Sequence, residues 1–281
     1  MKSYMIALMV AVAAVVCGSV EAEAAPKRLK GSGNIIIKEV ELPAFQAVQA
    51  SRAVQVNLVA DKGQKGMIEA DDNIMEYVKI KSKNGVLILT IDEDVRTISS
   101  IHVKITAPTN GKLTALRASS AAKIESEITL SADEMEVDAS SAASIQATIN
   151  AEKSNFELSS AATIKAEVMG GSCSIEATSS ANFKGTLAVR HCEVEGSSAA
   201  DIYLEGAALS CEAELSSAAD LNASKFAVKR YAIEVSSAAD ADILCLESLN
   251  ASASSAGDIT YAGNCQQQRI SRSSGGSIKH R

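Results

Sequence analysis

Ser197-Ser198-Ala199-Ala200-Asp201-Ile202 holds one copy of a phrase that recurs down the C-terminal half of the chain at a pitch of about twenty residues. The other copies begin at Ser119, Ser140, Ser159, Ser179, Ser216, Ser236, Ser254 and Ser273, the last two ending in Ala256-Gly257 and Gly275-Gly276. Self-similarity at such a period marks a solenoid, in which each unit buries its apolar face against its neighbours. The fold can therefore be read before any single residue is assigned a role.

Aligning the rungs on Ser119 and its equivalents, with Thr178 as the fourth corner, gives two apolar columns. Three residues before the corner stand Leu116, Val137, Phe156, Ile175, Val194, Ala213, Ile233, Ala251 and Ile270. Five after it stand Ile124, Ile145, Ile164, Phe183, Ile202, Leu221, Ala241, Ile259 and Ile278. Around these columns runs period-two alternation, as in Ile124-Glu125-Ser126-Glu127-Ile128 and Phe156-Glu157-Leu158, the pattern of half-buried strands. A coil of about nineteen residues suits a parallel β-helix, an all-β single-chain β-solenoid of short strands and tight corners. Small Ser and Ala permit a sharp bend, and stacked hydroxyls can bond one another or nearby backbone. The Leu-x-x-Leu-x-Leu frame of a leucine-rich repeat is missing, and nine alternating rungs argue against a disordered Ser/Ala tract.

Three regions follow. Residues 1–24 read as a signal peptide: Lys2, an apolar stretch from Tyr4 to Val16, and Ala22-Glu23-Ala24 as a small-x-small cleavage site. Cys17 is preceded by Val16, where a lipobox wants a small residue. Residues 25–107 read as a β-rich N-terminal region and cap, with strands around Val54-Gln55-Val56 and Val86-Leu87-Ile88 and a hairpin turn at Asn84-Gly85. Residues 108–281 are the Ser-Ser-Ala solenoid, whose last coil carries Arg269, Arg272, Lys279, His280 and Arg281 as protection for an open edge. No later apolar run is long enough to span a bilayer as a helix.

A formal charge of −7 argues against nucleic acid as a partner. With no Trp and 3% aromatic residues, the core must be aliphatic and the surface offers few sugar-stacking platforms.

Two acidic ladders occupy outward positions. Asp138, Glu157, Glu176, Glu195, Glu214 and Glu234 stand two before their corners; Asp201, Asp220, Asp240 and Asp258 stand four after. Charges about 4.8 Å apart repel by roughly 1 kcal/mol per pair in a water-like dielectric, and a cation would relieve that. Glu195, Glu214 and Glu234, beside Asp201, Asp220 and Asp240, are thus candidate ligands for weakly bound calcium, which takes oxygen donors. A solvated charged face that keeps the sheet from aggregating explains the same pattern, and no other cofactor is implied.

Cys173, Cys192 and Cys211 lie nineteen apart on the inward phase and read as small buried core residues. Disulfides are open to an exported chain, but neighbours on adjacent parallel strands meet awkwardly. His102, His191 and His280 fall at unrelated phases and the serines are explained by corners, so no Ser-His-Asp footprint is present. Stacked carboxylates near Lys165 and Lys184 leave a polysaccharide-processing enzyme as the alternative, though the rungs lack loops to wall a groove.

The chain resembles a known family. Gly31-Ser32-Gly33-Asn34, Phe45-Gln46-Ala47-Val48, Glu69-Ala70-Asp71-Asp72-Asn73-Ile74, Asn84-Gly85-Val86-Leu87-Ile88 and Val103-Lys104-Ile105-Thr106-Ala107-Pro108 are similar, in order, to landmarks of the putative auto-transporter adhesin family with the head GIN domain. That resemblance implies export by a Gram-negative bacterium and a right-handed β-helix body, and brings no catalytic or ligand-binding residue. The departure is at the corner, where the family's common Gly-Ser-Gly is Ser-Ser-Ala. The expectation is an exported protein of the periplasm, outer-membrane surface or extracellular space, binding a protein or glycan surface ligand, or else serving as an envelope scaffold.

Overall fold

The computed structural model describes residues 27–281 apart from Gln64. The signal-peptide stretch and Cys17 lie outside the described residues. Among them the chain is all-β, a β-solenoid whose only helical turn is a 3-10 segment at Met75–Tyr77.

The N-terminal part comprises β1 (Lys27–Lys30), β2 (Ile35–Val40), β3 (Ala47–Ala50), β4 (Gln55–Ala60), β5 (Gly66–Asp71), β6 (Val78–Lys83), β7 (Val86–Ile91), β8 (Val95–Ser99) and β9 (Val103–Thr109). The regular body follows as β10 (Ala115–Ala118), β11 (Lys123–Ala139), β12 (Ser144–Leu158), β13 (Thr163–Ala177), β14 (Asn182–Gly196), β15 (Asp201–Leu215), β16 (Asp220–Val235) and β17 (Asp240–Ala253). The chain ends in β18 (Asp258–Ala262), β19 (Gln267–Arg272) and β20 (Ser277–His280).

Both apolar columns stack in parallel register. Leu116, Val137, Phe156, Ile175, Val194, Ala213, Ile233, Ala251 and Ile270 are successive partners. The second column runs unbroken from Ile124 to Ile278. Apart from Ile270, which is partly buried, these side chains form the core. Adjacent rungs interlock further through an edge-on contact of Phe156 and Phe183, ring centroids 5.1 Å apart.

Each regular coil is one continuous strand of 14 to 17 residues rather than several short ones. It has a single sharp corner. Elsewhere it bends where the alternation resets, with two outward residues in succession at Glu152-Lys153, Arg190-His191 and Lys229-Arg230.

The corner is a type I′ turn. Ser198 and Ala199 have φ of 54° and 59°, and the Ala200 N–H donates to the Ser197 carbonyl at 3.2 Å. A left-handed residue other than glycine costs roughly 1–2 kcal/mol, and here two occur per rung. The stack compensates through the backbone: Ala199 N–H donates to Ser217 O in the next coil at 3.0 Å, and Ala121, Ala142, Ala161, Ala218 and Ala238 repeat the bond. Backbone groups thus carry this ladder, and hydroxyls add contacts such as Ser197 Oγ to Thr178 Oγ1 at 3.1 Å and, between the N-terminal coils, Ser51 Oγ with Thr90 Oγ1 at 2.7 Å. A positive φ at both central positions is also the physical reason that glycine suits such corners.

Stacking reaches upstream of the Ser-Ser-Ala rungs, out of chain order. β3 pairs with both β10 and β7, and β4 with both β11 and β9. Residues 47–60 therefore form a coil, cornered at Arg52 and Ala53 (φ 60° and 61°), which the later segment 86–109 covers. Antiparallel pairings of β5 with β2 and β9, and the β6–β7 hairpin turning at Asn84-Gly85, finish the cap.

Candidate functional site

Three recesses follow one another along the solenoid axis near the corners, neighbouring ones sharing a lining residue. The first, about 910 Å³, lies where the cap meets the regular coils and is lined by Gln46, Asn84, Lys112, Thr114, Arg117 and Glu136 among others. It shares Arg117 with a second of about 340 Å³, lined by Ser119, Asp138, Ser140, Glu157, Ser159 and Glu176. That one shares Glu176 with a third of about 210 Å³, lined by Glu195, Ser197, Glu214, Ser216, Glu234 and Ser236. The pattern follows from register: one residue type at one phase of the repeat becomes a row along the axis.

Arg117 heads the glutamate row. It is the in-register neighbour of Asp138, and the row continues through Glu157, Glu176, Glu195, Glu214 and Glu234. Its guanidinium reaches Asp138 Oδ2 at 2.8 Å and Glu136 Oε2 at 2.5 Å, and the hydrogen bond to Asp138 leads the causes that raise its pKa. From Glu157 to Glu234 the carboxylates make no ion pair among the described residues, so the far end of the row is uncompensated anionic surface.

The aspartate row lies on the other side of the corner. Asp201, Asp220, Asp240 and Asp258 are register partners. Burial raises the Asp220 carboxyl pKa, and the charges of Asp201, Asp240 and Asp242 add to it. The row's end is neutralised: Lys279 Nζ lies 3.4 Å from Asp258, and Arg281 Nη1 2.9 Å from Asp242. Lys279 and Arg281 thus pair with acidic neighbours, whereas Arg272 donates to the Ile278 carbonyl. None of Asp201, Asp220 and Asp240 lines the third recess, and no glutamate is among the charges acting on Asp220. The two candidate calcium-ligand triplets are therefore separate rows rather than one cluster. Among the described residues no group of three or more His, Cys, Asp or Glu side chains is arranged to hold a metal ion.

Inside the coils, Ser154, Cys173, Cys192, Cys211 and Tyr231 form an in-register column. All are buried, and the cysteines are free thiols. A hydrogen bond with Cys173 first, and burial after it, push the Cys192 thiol well up; burial foremost does the same to Cys211 and to the Tyr231 hydroxyl. Such thiols pack and do not react. His191 points outward, its Nδ1 2.8 Å from Ser210 Oγ, away from this column.

The glutamate row was legible from the repeat phase, and Arg117 occupies that phase in the first rung. The recess at the cap junction was not legible, because Gln46, Asn84 and Lys112 meet only through the out-of-order stacking of the N-terminal coils.

A solenoid of stacked parallel coils with an antiparallel cap belongs to the class of β-solenoid repeat proteins. The family described as "putative auto-transporter adhesin, head GIN domain" matches residues 44–173 and 159–265, and the chain belongs to that family. Among solved structures, a putative adhesin from Parabacteroides merdae ATCC 43184 is 19% identical, with a TM-score of 0.68 over 91% of this chain and 99% of that one. A putative adhesin from Parabacteroides distasonis ATCC 8503 is 19% identical, with a TM-score of 0.64 over 91% and 100%. A putative lipid binding protein from the same strain is 14% identical, with the same TM-score and coverage. A search of curated proteins returns no match.

Proposed function

We propose that this protein is exported to the cell envelope and binds an extended surface ligand, a protein or a glycan, along the axial row of recesses. The observation that supports this reading most is the row of recesses from Ser119 to Ser236, lined by a hydroxyl and a carboxylate repeated once per coil. Repetition favours a ligand that is itself extended, since each rung adds a similar weak contact and the contacts sum along the axis. Family membership agrees with a surface-binding role, and the sequence features of export agree with the location.

An array of glycans and envelope proteins probed with the purified mature protein tests the reading. Glu176, Glu195 and Glu214 changed together to Gln should weaken capture of the identified ligand at least tenfold without altering the fold. Binding unaffected by these changes would move the site elsewhere, and release of products from envelope glycans would favour the enzymatic alternative. Liposomes belong in the same panel, because Ile35, Ile36, Ile37 and Met67 are exposed on the cap at 42%, 39%, 67% and 38% and offer an apolar contact to lipid.

A further inference from the structure

Cys245 and Cys265 stand apart from the interior cysteine column. Leu244 pairs with Ala262, the last residue of β18, which brings Gly263 against Cys245 so closely that a Cβ on Gly263 would lie 2.0 Å from the Cys245 carbonyl oxygen. Two residues further on, outside any strand, Cys265 Sγ donates to that same carbonyl at 3.1 Å. Cys245 Sγ itself donates to Ser248 O at 3.2 Å, and both side chains are buried.

The geometry differs from that of Cys173, Cys192 and Cys211. Those three occupy equivalent positions on in-register parallel strands, where the backbone holds neighbours about 4.8 Å apart with parallel Cβ vectors, beyond the usual 3.5–4.5 Å Cβ separation of a disulfide. Cys265 follows the end of β18 and lies in a connection, so its Cβ is not held parallel to that of Cys245 by a strand ladder.

We propose that Cys245 and Cys265 are a disulfide-forming pair that staples the terminal coil to the coil before it. In the reaction one thiolate attacks a small-molecule or protein disulfide and displaces one of its thiols. The second cysteine then attacks the mixed disulfide. Two S–H bonds are lost and one S–S bond forms, while the oxidant's S–S bond is reduced to two thiols. Burial and the neighbouring thiol push Cys245 up to about 12, so the closed coil exchanges slowly. Beyond Cys265, β19 pairs with β17 alone, and β18 is covered further only by the four-residue β20, so this end of the stack opens most readily and admits the oxidant.

The test uses the mature wild-type protein equilibrated with oxidised glutathione, then denatured, alkylated and peptide-mapped without reduction. The expected result is one linked peptide pair containing Cys245 and Cys265, with Cys173, Cys192 and Cys211 alkylated. The melting temperature should rise by several degrees and return to its starting value on reduction, and Cys265→Ser should abolish both changes. Five alkylated thiols, or a bond within the column, would overturn the assignment. A Cys245–Cys265 bond without a melting shift would overturn the stapling role. The wild-type map decides the pairing even if the variant fails to fold.

Discussion

The buried carboxylate of Asp71 accepts the backbone N–H of Gly33 at 2.8 Å through one oxygen and that of His102 at 2.6 Å through the other. Around it Ser32 Oγ and Asn34 Nδ2 donate to Asp72, and Asn73 Nδ2 donates to the Lys30 carbonyl. Gly31 sits so close that a Cβ there would lie 2.4 Å from Ser100 O and 2.5 Å from Asp71 Oδ2. The motifs Gly31-Ser32-Gly33-Asn34 and Asp71-Asp72-Asn73 are thus two halves of one joint that fixes the entering chain to the cap.

That joint makes the first prediction. Asp71→Ala removes the shared acceptor of two backbone donors, one on exposed Gly33 and one on half-buried His102, and each such loss costs about 1–3 kcal/mol, least where water replaces the acceptor. Chemical denaturation should show a loss of about 2–5 kcal/mol if unfolding is two-state, or an early transition of the cap if it is not. An unchanged profile would show that the joint contributes nothing to stability.

Val194 is fully buried between Ile175 and Ala213 in the first apolar column. Val194→Asp places an unpaired carboxylate there, which should cost 4 kcal/mol or more, as a rough figure, and leave little folded protein by circular dichroism. A folded variant melting at the wild-type temperature would refute the register.

Thiol labelling probes the interior column. Cys173, Cys192 and Cys211 should react at least a hundredfold more slowly in the native state than after denaturation, since they are buried and the Cys192 and Cys211 thiols are held protonated. Equal rates in the two states would contradict their placement.

Asp220 offers a pH test. Its carboxyl is raised by burial and by Asp201, Asp240 and Asp242, so the folded chain holds that proton more tightly than the unfolded chain does. Stability from this group is therefore lost as pH climbs from the ordinary aspartate value, about 3.9, through the raised one, and the penalty is complete above it. Asp220→Asn should melt higher than wild type at pH 7, with the gap closing in acid. Because the glutamate and aspartate rows are separate, sodium chloride at matched ionic strength should reproduce the effect of millimolar calcium on the melting temperature. A calcium shift beyond that control would identify a bound ion.

The corner geometry predicts a stabilising change. Ala218 is exposed with a φ of 60°, so Ala218→Gly relieves left-handed strain at the entropic cost of one glycine. A net gain of about 0.5–1 kcal/mol is expected in denaturant unfolding. A loss would mean that the stack had already absorbed the strain.

Sequence by itself determined the body of this protein. A fixed phase repeated nine times dictates which residues stack, because parallel in-register coils place like positions over like, and both apolar columns, the glutamate row and the buried cysteines followed directly. Tertiary structure decided what the period does not encode. The left-handed turn at Ser-Ala was hidden because neither residue ordinarily prefers it, and the axial backbone bonds to the next rung join the bond across the turn in holding it. That residues 86–109 fold over residues 47–60 was likewise hidden, since strand partners distant in the chain are chosen by the coil edges left open to them. The same three-dimensional choice brought the cap recess to Arg117 and Cys265 against Cys245 where the repeat ends.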